Sequence, residues 1–258
     1  MSQILAIVNQ KGGVGKTTTT INLAALLAAK KKKVLLIDLD PQGNATSGFG
    51  FDKNKLERTV YDVLINQTPL GDVMVPSGRP NLSICPANIQ LAGAEIELVP
   101  LVSRETCLKV ALEADRAAFD YVLIDCPPSL GLLTINALTA ADGIIVPIQS
   151  EYYALEGLTQ LMETVTVVKR GLNRKLYVFG VVVTMFDSRT QLAHQVAGEV
   201  RRYFGDKVFR TIIPRNVRLS EAPSFGQSIM EYDPKSKGAE SYDALSREVI
   251  RRSGGYYL

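Results

Sequence analysis

Gln10-Lys11-Gly12-Gly13-Val14-Gly15-Lys16-Thr17-Thr18 stands between an apolar run, Ile4-Leu5-Ala6-Ile7-Val8, and a helix-forming stretch, Thr17 to Ala29. The apolar run is short and closed by glycines, the pattern of a buried parallel strand. The stretch after it places Ile21, Leu23, Ala24, Leu26, Leu27 and Ala28 on a helical period among strong helix formers. Strand, glycine turn and helix together form the context of a phosphate-binding loop. Glycines let successive backbone N–H groups turn inward around an anion, and the positive end of the following helix points to the same place. Gly12, Gly13, Val14, Gly15, Lys16, Thr17 and Thr18 are therefore expected to cradle phosphates. Lys16 would reach the β- and γ-phosphates of a nucleotide, and the Thr17 hydroxyl would hold Mg²⁺.

The loop departs from G-x-x-x-x-G-K-[ST] at its first glycine, which is Gln10, and carries a second lysine beside it, Lys11. One lysine suffices for phosphates bound within a single chain, so Lys11 is either a solvated loop residue or has another task. The variant K-G-G-x-G-K-[ST] resembles the deviant Walker A ATPases, which include the ParA/Soj partition proteins, MinD, the arsenite pump ATPase and the nitrogenase iron protein. That resemblance implies that Lys11 crosses a dimer interface to the phosphates held by the partner subunit. A side chain on Gly12, where two such loops would meet, should then clash.

The 258 residues suit one large α/β domain, 1–258, with ordinary apolar content and charge. No run of eighteen apolar residues occurs, and Met-Ser-Gln-Ile does not open a basic-then-apolar leader, so neither a membrane span nor a signal peptide is expected. Cys85, Cys107 and Cys126 show no C-x-x-C spacing, which argues against a metal site, a disulfide framework or an iron–sulfur cluster and favours a reducing, cytoplasmic setting. The net charge of +3 is uneven: residues 1–169 carry 14 Lys and Arg against 17 Asp and Glu, residues 170–258 carry 15 against 9. A basic C-terminal third permits a nucleic-acid footprint, although solubility accounts for such an excess equally well.

Further strands are expected at Val34–Asp38, Leu82–Pro86, Tyr121–Asp125, Gly143–Ile148, Phe179–Thr184 and Val208–Ile213. Helices are expected near Thr59–Ile65, Ser103–Ala114, Glu156–Lys169, Thr190–Phe204 and Ala239–Arg251. Residues 44 to about 80 form a polar excursion without a legible role. Lys30 to Lys33 read as a solvated cationic end of the first helix. Alternation of strands and helices implies a mostly parallel, doubly wound sheet with helices on both faces. Asp38-Leu39-Asp40 emerges at the carboxyl edge of that sheet, where nucleotides bind, and Tyr121-Val122-Leu123-Ile124-Asp125 reads as a Walker B strand supporting Mg²⁺ through water. Asp-x-Asp-Pro is also a turn sequence, so Asp38 and Asp40 could be loop caps. His194 and Cys126 read as structural or exposed and as buried filler.

Asp38-Leu39-Asp40-Pro41-Gln42-Gly43-Asn44, Ile89 to Glu95, Asp125-Cys126-Pro127-Pro128-Ser129-Leu130-Gly131 and Pro214 to Ser224 are similar to the chromosomal ParA, Soj-type branch, almost end to end. The resemblance implies a weak Mg²⁺-dependent ATPase that forms a homodimer on ATP and binds double-stranded DNA without sequence preference. A ParB-type protein would reset it, and the output would be segregation of chromosome origins on the nucleoid. It makes Lys11, Lys16 and Asp40 the catalytic set, with Asp40 orienting the attacking water; it puts Asp38 in the metal shell with Thr17 and Asp125, and Pro214 and Asn216 beside adenine. Arg189 and Arg218 become the DNA-binding residues, which could otherwise be ordinary surface ion pairs. Lys207, Arg210, Lys235, Lys237, Arg247, Arg251 and Arg252 would add to the positive face. Two rival readings are a MinD-like membrane-surface ATPase and a nucleotide switch regulating replication initiation. The first needs an amphipathic basic C-terminal helix, and Leu245, Val249 and Ile250 make a thin apolar face.

Overall fold

The computed structural model describes residues 2–151 and 156–254; the Gly-Tyr-Tyr-Leu end, 255–258, lies outside them. The strands are β1 (Gln3–Ile7), β2 (Val34–Asp38), β3 (Val75–Pro76), β4 (Leu82–Cys85), β5 (Tyr121–Asp125), β6 (Gly143–Gln149), β7 (Tyr177–Phe186) and β8 (Val208–Pro214). The helices are α1 (Lys16–Ala29), α2 (Asn44–Gly48), α3 (Val60–Leu64), α4 (Leu91–Glu97), α5 (Cys107–Glu113), α6 (Leu132–Ala140), α7 (Glu156–Gly171), α8 (Gln191–Phe204), α9 (Arg218–Glu221), α10 (Ile229–Tyr232) and α11 (Lys237–Ser253). The sheet runs in the order β3-β4-β2-β5-β1-β6-β7-β8, parallel throughout except for the short β3–β4 pair at one edge.

Strand alternation divides the interior into two cores. Ile4, Ala6, Leu35, Ile37, Val122 and Ile124 face one side, packed with residues of α3 to α8. Leu5, Ile7, Val34, Leu36, Tyr121 and Leu123 face the other, with α1, α9, α10 and α11. A strand covered on both faces has no polar side to show, which is why these segments read as continuous apolar runs.

The expected strands and long helices are present, and the differences have local causes. α6 carries no amphipathic period because both of its sides are covered; Leu133, Thr134, Asn136, Ala137, Leu138, Thr139 and Ala140 are all buried. α5 begins at Cys107 and not near Ser103, whose backbone is left-handed at φ 57°. The polar excursion contains α2, which is closed against the rest of the site by Gly43; a β-carbon there would lie 2.7 Å from the Ala87 carbonyl oxygen. Lys30 is not a free helix end: it caps α1 and pairs with Asp243 of α11.

Candidate functional site

The loop between β1 and α1 takes the conformation its glycines allow. Gly13 and Gly15 are left-handed, at φ 73° and 87°, and Gly15 is the residue from which α1 departs. A side chain in that region is strained, so the curl of backbone amides belongs to glycine. Side-chain bonds tie the loop to two other strands, β7 and β6. Thr184 of β7 donates its hydroxyl to the Val14 carbonyl at 2.8 Å. Asn9 donates its side-chain amide to the Pro147 carbonyl at 2.7 Å and accepts from the Lys11 amide at 3.0 Å.

A cavity of about 310 Å³ opens over the loop, lined by Gly12, Gly13, Gly15, Lys16, Thr17, Thr18, Asp40, Gln42, Asn44 and Pro128. Lys16 is 6% exposed and its ammonium donates to the Lys11 carbonyl at 3.1 Å. Burial pushes its pKa below the usual lysine value, against the pull of Asp125, Cys126 and Asp40, so an anion beside it would be strongly favoured. Lys11 has no place in the cavity wall. Its ammonium turns aside to Glu151, 3.5 Å away, and Glu151 lies 3.6 Å from Arg215 on its other oxygen.

Asp38 and Asp125 are partners in the β2–β5 register and both are fully buried. Asp125 accepts from the Thr17 hydroxyl at 2.7 Å and from the Thr20 hydroxyl at 2.9 Å. Asp38 accepts from the Thr46 amide at 2.8 Å, the Thr46 hydroxyl at 2.7 Å and the Asp40 amide at 3.2 Å. Burial first raises both carboxyls well above the ordinary range, with the charge of Asp40 adding at Asp38 and those of Asp38 and Asp40 adding at Asp125. Such crowding of negative charge over hydroxyl and carboxylate oxygens fits a hard divalent cation. Among the described residues, no group of three His, Cys, Asp or Glu is arranged to hold a metal by itself. The Thr17 hydroxyl and the Asp125 carboxylate, bonded to each other, are the oxygens that would face such a cation. Asp38 is occupied as the anchor of the Thr46 turn, and Thr46 in turn accepts from the Ala87 amide at 2.9 Å. Asp40 is 7% exposed, and its carboxylate accepts from the Gln42 amide at 2.9 Å, at the cavity wall.

A family model described as AAA domain matches residues 2–178. The chain is 59% identical over 249 residues to the sporulation initiation inhibitor protein Soj of Bacillus subtilis, covering 96% of this chain and 98% of that one. It is 55% identical over 252 residues to the chromosome partitioning protein ParA of Myxococcus xanthus, covering 98% and 89%. The chain belongs to the ParA/Soj family of chromosome-partitioning ATPases. Its fold superimposes with a TM-score of 0.88 on a solved Mycobacterium smegmatis structure described as cobyrinic acid a,c-diamide synthase with bound ADP and magnesium, at 38% identity over 99% of this chain and 97% of that one.

Other site residues of this ParA/Soj-family ATPase lie along the same sheet edge. Pro214 ends β8 opposite Phe186 of β7, and the Asn216 side chain accepts from the Arg218 amide at 2.9 Å; neither lines the phosphate cavity. Arg189 follows β7 and Arg218 opens α9 after β8, so both emerge at the carboxyl edge, with Arg215 between them. Of the wider basic set, Lys235 and Lys237 belong to the segment beside Arg218, since Asp233 lies 3.6 Å from that arginine and Gly238 packs on Asn216 and Leu219, whereas others lie elsewhere. The Arg252 side chain is only 7% exposed and donates to the carbonyls of Phe179, Lys207 and Val208 near the amino ends of β7 and β8, so it is structural. Lys207 is at that same far end, and Arg247 pairs with Asp243. His194 is exposed, edge-on to Phe186, and Cys126 is buried with its thiol pushed up.

Thr20, Thr46, Thr184, Asn9 and Glu151 escaped the sequence reading. A threonine or asparagine in a strand or helix signals nothing until its partner is known.

Proposed function

We propose that the protein is a Mg²⁺-ATP-driven dimer that binds duplex DNA without sequence preference and is reset by slow hydrolysis, stimulated by a ParB-type partner. It does so on the nucleoid to segregate chromosome origins. The observation carrying this reading is the division of labour between two lysines: Lys16 is buried toward its own cavity, whereas Lys11 points out of it. Lys11, held only by the half-exposed Glu151, could exchange that partner for the phosphates of a second copy, and ATP dimerises the protein where ADP does not because only the former offers the extra charge. The loop amides and Lys16 bind the phosphates, Thr17 and Asp125 hold the metal side, and Asp40 positions water. A bound Mg²⁺ would supply neutralisation of the phosphate charge. Carboxylates are weak bases, so the role assigned to Asp40 is alignment of the water and not its deprotonation, in keeping with slow turnover.

The test is size-exclusion chromatography with ADP and with a non-hydrolysable ATP analogue, with and without duplex DNA. The analogue alone should produce a dimer, and only that dimer should co-elute with DNA; a monomer under all four conditions overturns the reading. Gly12→Val sharpens it. A β-carbon on Gly12 meets nothing closer than Pro128 Cβ at 4.0 Å, so one chain tolerates it. The variant is expected to bind ATP within about threefold of wild type yet stay monomeric, as measured by nucleotide titration and light scattering.

Arg189→Glu is expected to dimerise normally with the analogue and to lose DNA binding by about tenfold or more, read by anisotropy at fixed salt. Wild-type affinity in that variant would remove Arg189 from the surface. The membrane alternative loses support in the fold, since Leu245 and Val249 of α11 are buried in the core against α1. Among the described residues no helix is long and apolar enough to cross a membrane. Vesicles sedimented with the ATP-loaded protein should leave it in the supernatant.

A further inference from the structure

Both arginines assigned to DNA are already bonded to carboxylates. Arg189 grips Asp187 with a two-pronged fork, Nε donating to Oδ1 at 2.9 Å and Nη2 to Oδ2 at 2.7 Å. Arg218 donates from Nη1 to Glu221 at 2.9 Å and lies 3.6 Å from Asp233. The arginines are the more exposed members of these pairs: the Arg189 side chain is 86% exposed against 24% for Asp187, and Arg218 54% against 37% for Glu221. Asp187 is fixed by its own turn, its Oδ1 also accepting from the Arg189 amide at 3.1 Å. Hydrogen bonds from Arg189, then the charges of Arg189 and Arg215, hold its carboxyl far below the usual range.

A phosphodiester oxygen pair and a carboxylate present the same geometry to a guanidinium. A phosphate contact at Arg189 is therefore an exchange and not a simple gain. Asp187 also places a negative charge where the DNA backbone would approach, beside Arg215 as well.

On the DNA-binding reading above, we propose that Asp187 is an affinity-setting residue of the DNA surface, competing with phosphates for the Arg189 fork, and that Glu221 does the same more weakly at Arg218. The carboxylates hold the forks in place while keeping each phosphate contact weak, so the protein releases DNA readily.

The test is a double-mutant cycle on duplex DNA, with Mg²⁺ and the non-hydrolysable analogue, by anisotropy at one salt concentration. Asn retains the Oδ1 acceptor that the turn needs, so Asp187→Asn leaves the loop intact. It should tighten DNA binding roughly two- to fivefold, the range of an exposed ion pair. In an Arg189→Ala background the same change should yield less than half of that gain. Glu221→Gln with and without Arg218→Ala forms a second, independent cycle, with smaller effects of the same sign. Equal gains in both backgrounds would mean general charge and not pairing, and would overturn the proposal, as would no gain at all. Absence of DNA binding by the wild-type dimer would instead remove the DNA reading, and the inference with it.

Discussion

Lys16→Ala is expected to abolish nucleotide binding, with ATP and ADP affinities falling by about 10²–10⁴. Lys16 is the cation enclosed at the cavity, and its removal deletes two or so charge-assisted contacts, each of about 1.5–3 kcal/mol. The free protein should not suffer. Burial disfavours the Lys16 charge and outweighs the pull of Asp125 and Asp40, and its hydrogen-bond acceptor there is a single loop carbonyl, so alanine relieves a desolvated group. Two measurements separate these effects. Calorimetric titration should show no ATP binding, and thermal unfolding without ligand should give a midpoint no lower than wild type. The ATP-dependent rise of that midpoint, which follows from linkage, should vanish. Intact ATP affinity would remove the phosphate-loop assignment.

Asp40→Ala is expected to separate binding from hydrolysis. The Asp40 carboxylate stands at the cavity wall beside Gly12 and Lys16, bonded to the Gln42 amide and not to the glycine loop. Phosphate binding should therefore stay within a few-fold, while hydrolysis drops by about 10² or more, the range for a lost positioning group. With ATP retained, the dimer should accumulate on ATP itself, without an analogue. Single-turnover hydrolysis and light scattering check both parts together; normal turnover by this variant would refute the role of Asp40. The neighbouring carboxylates provide a contrast. Asp38→Ala strips Thr46 and Asp40 of their acceptor, so it should cost stability before it costs chemistry.

Most of the architecture was legible in the chain because its signals are local. Ile4–Val8, Val34–Asp38 and Tyr121–Asp125 are apolar on both faces, and such strands leave no choice but a sheet covered twice. α6 was illegible for the same reason reversed: buried all round, it has no period to read. The glycine loop announced a phosphate site since only those residues permit its dihedrals. Arg189 and Arg218 were legible only through resemblance, and their carboxylate partners not at all.

The sequence by itself determined the sheet, the phosphate loop and the presence of a surplus lysine, because strand alternation, helix period and glycine dihedrals are properties of neighbouring residues. The tertiary structure alone decided that Asp38 faces Asp125, that Thr184 locks Val14, that Lys11 rests on Glu151 and that Arg252 is internal. Those partnerships depend on strand order and crossovers, which bring distant residues to one edge, and no local pattern encodes which side chain will be waiting there.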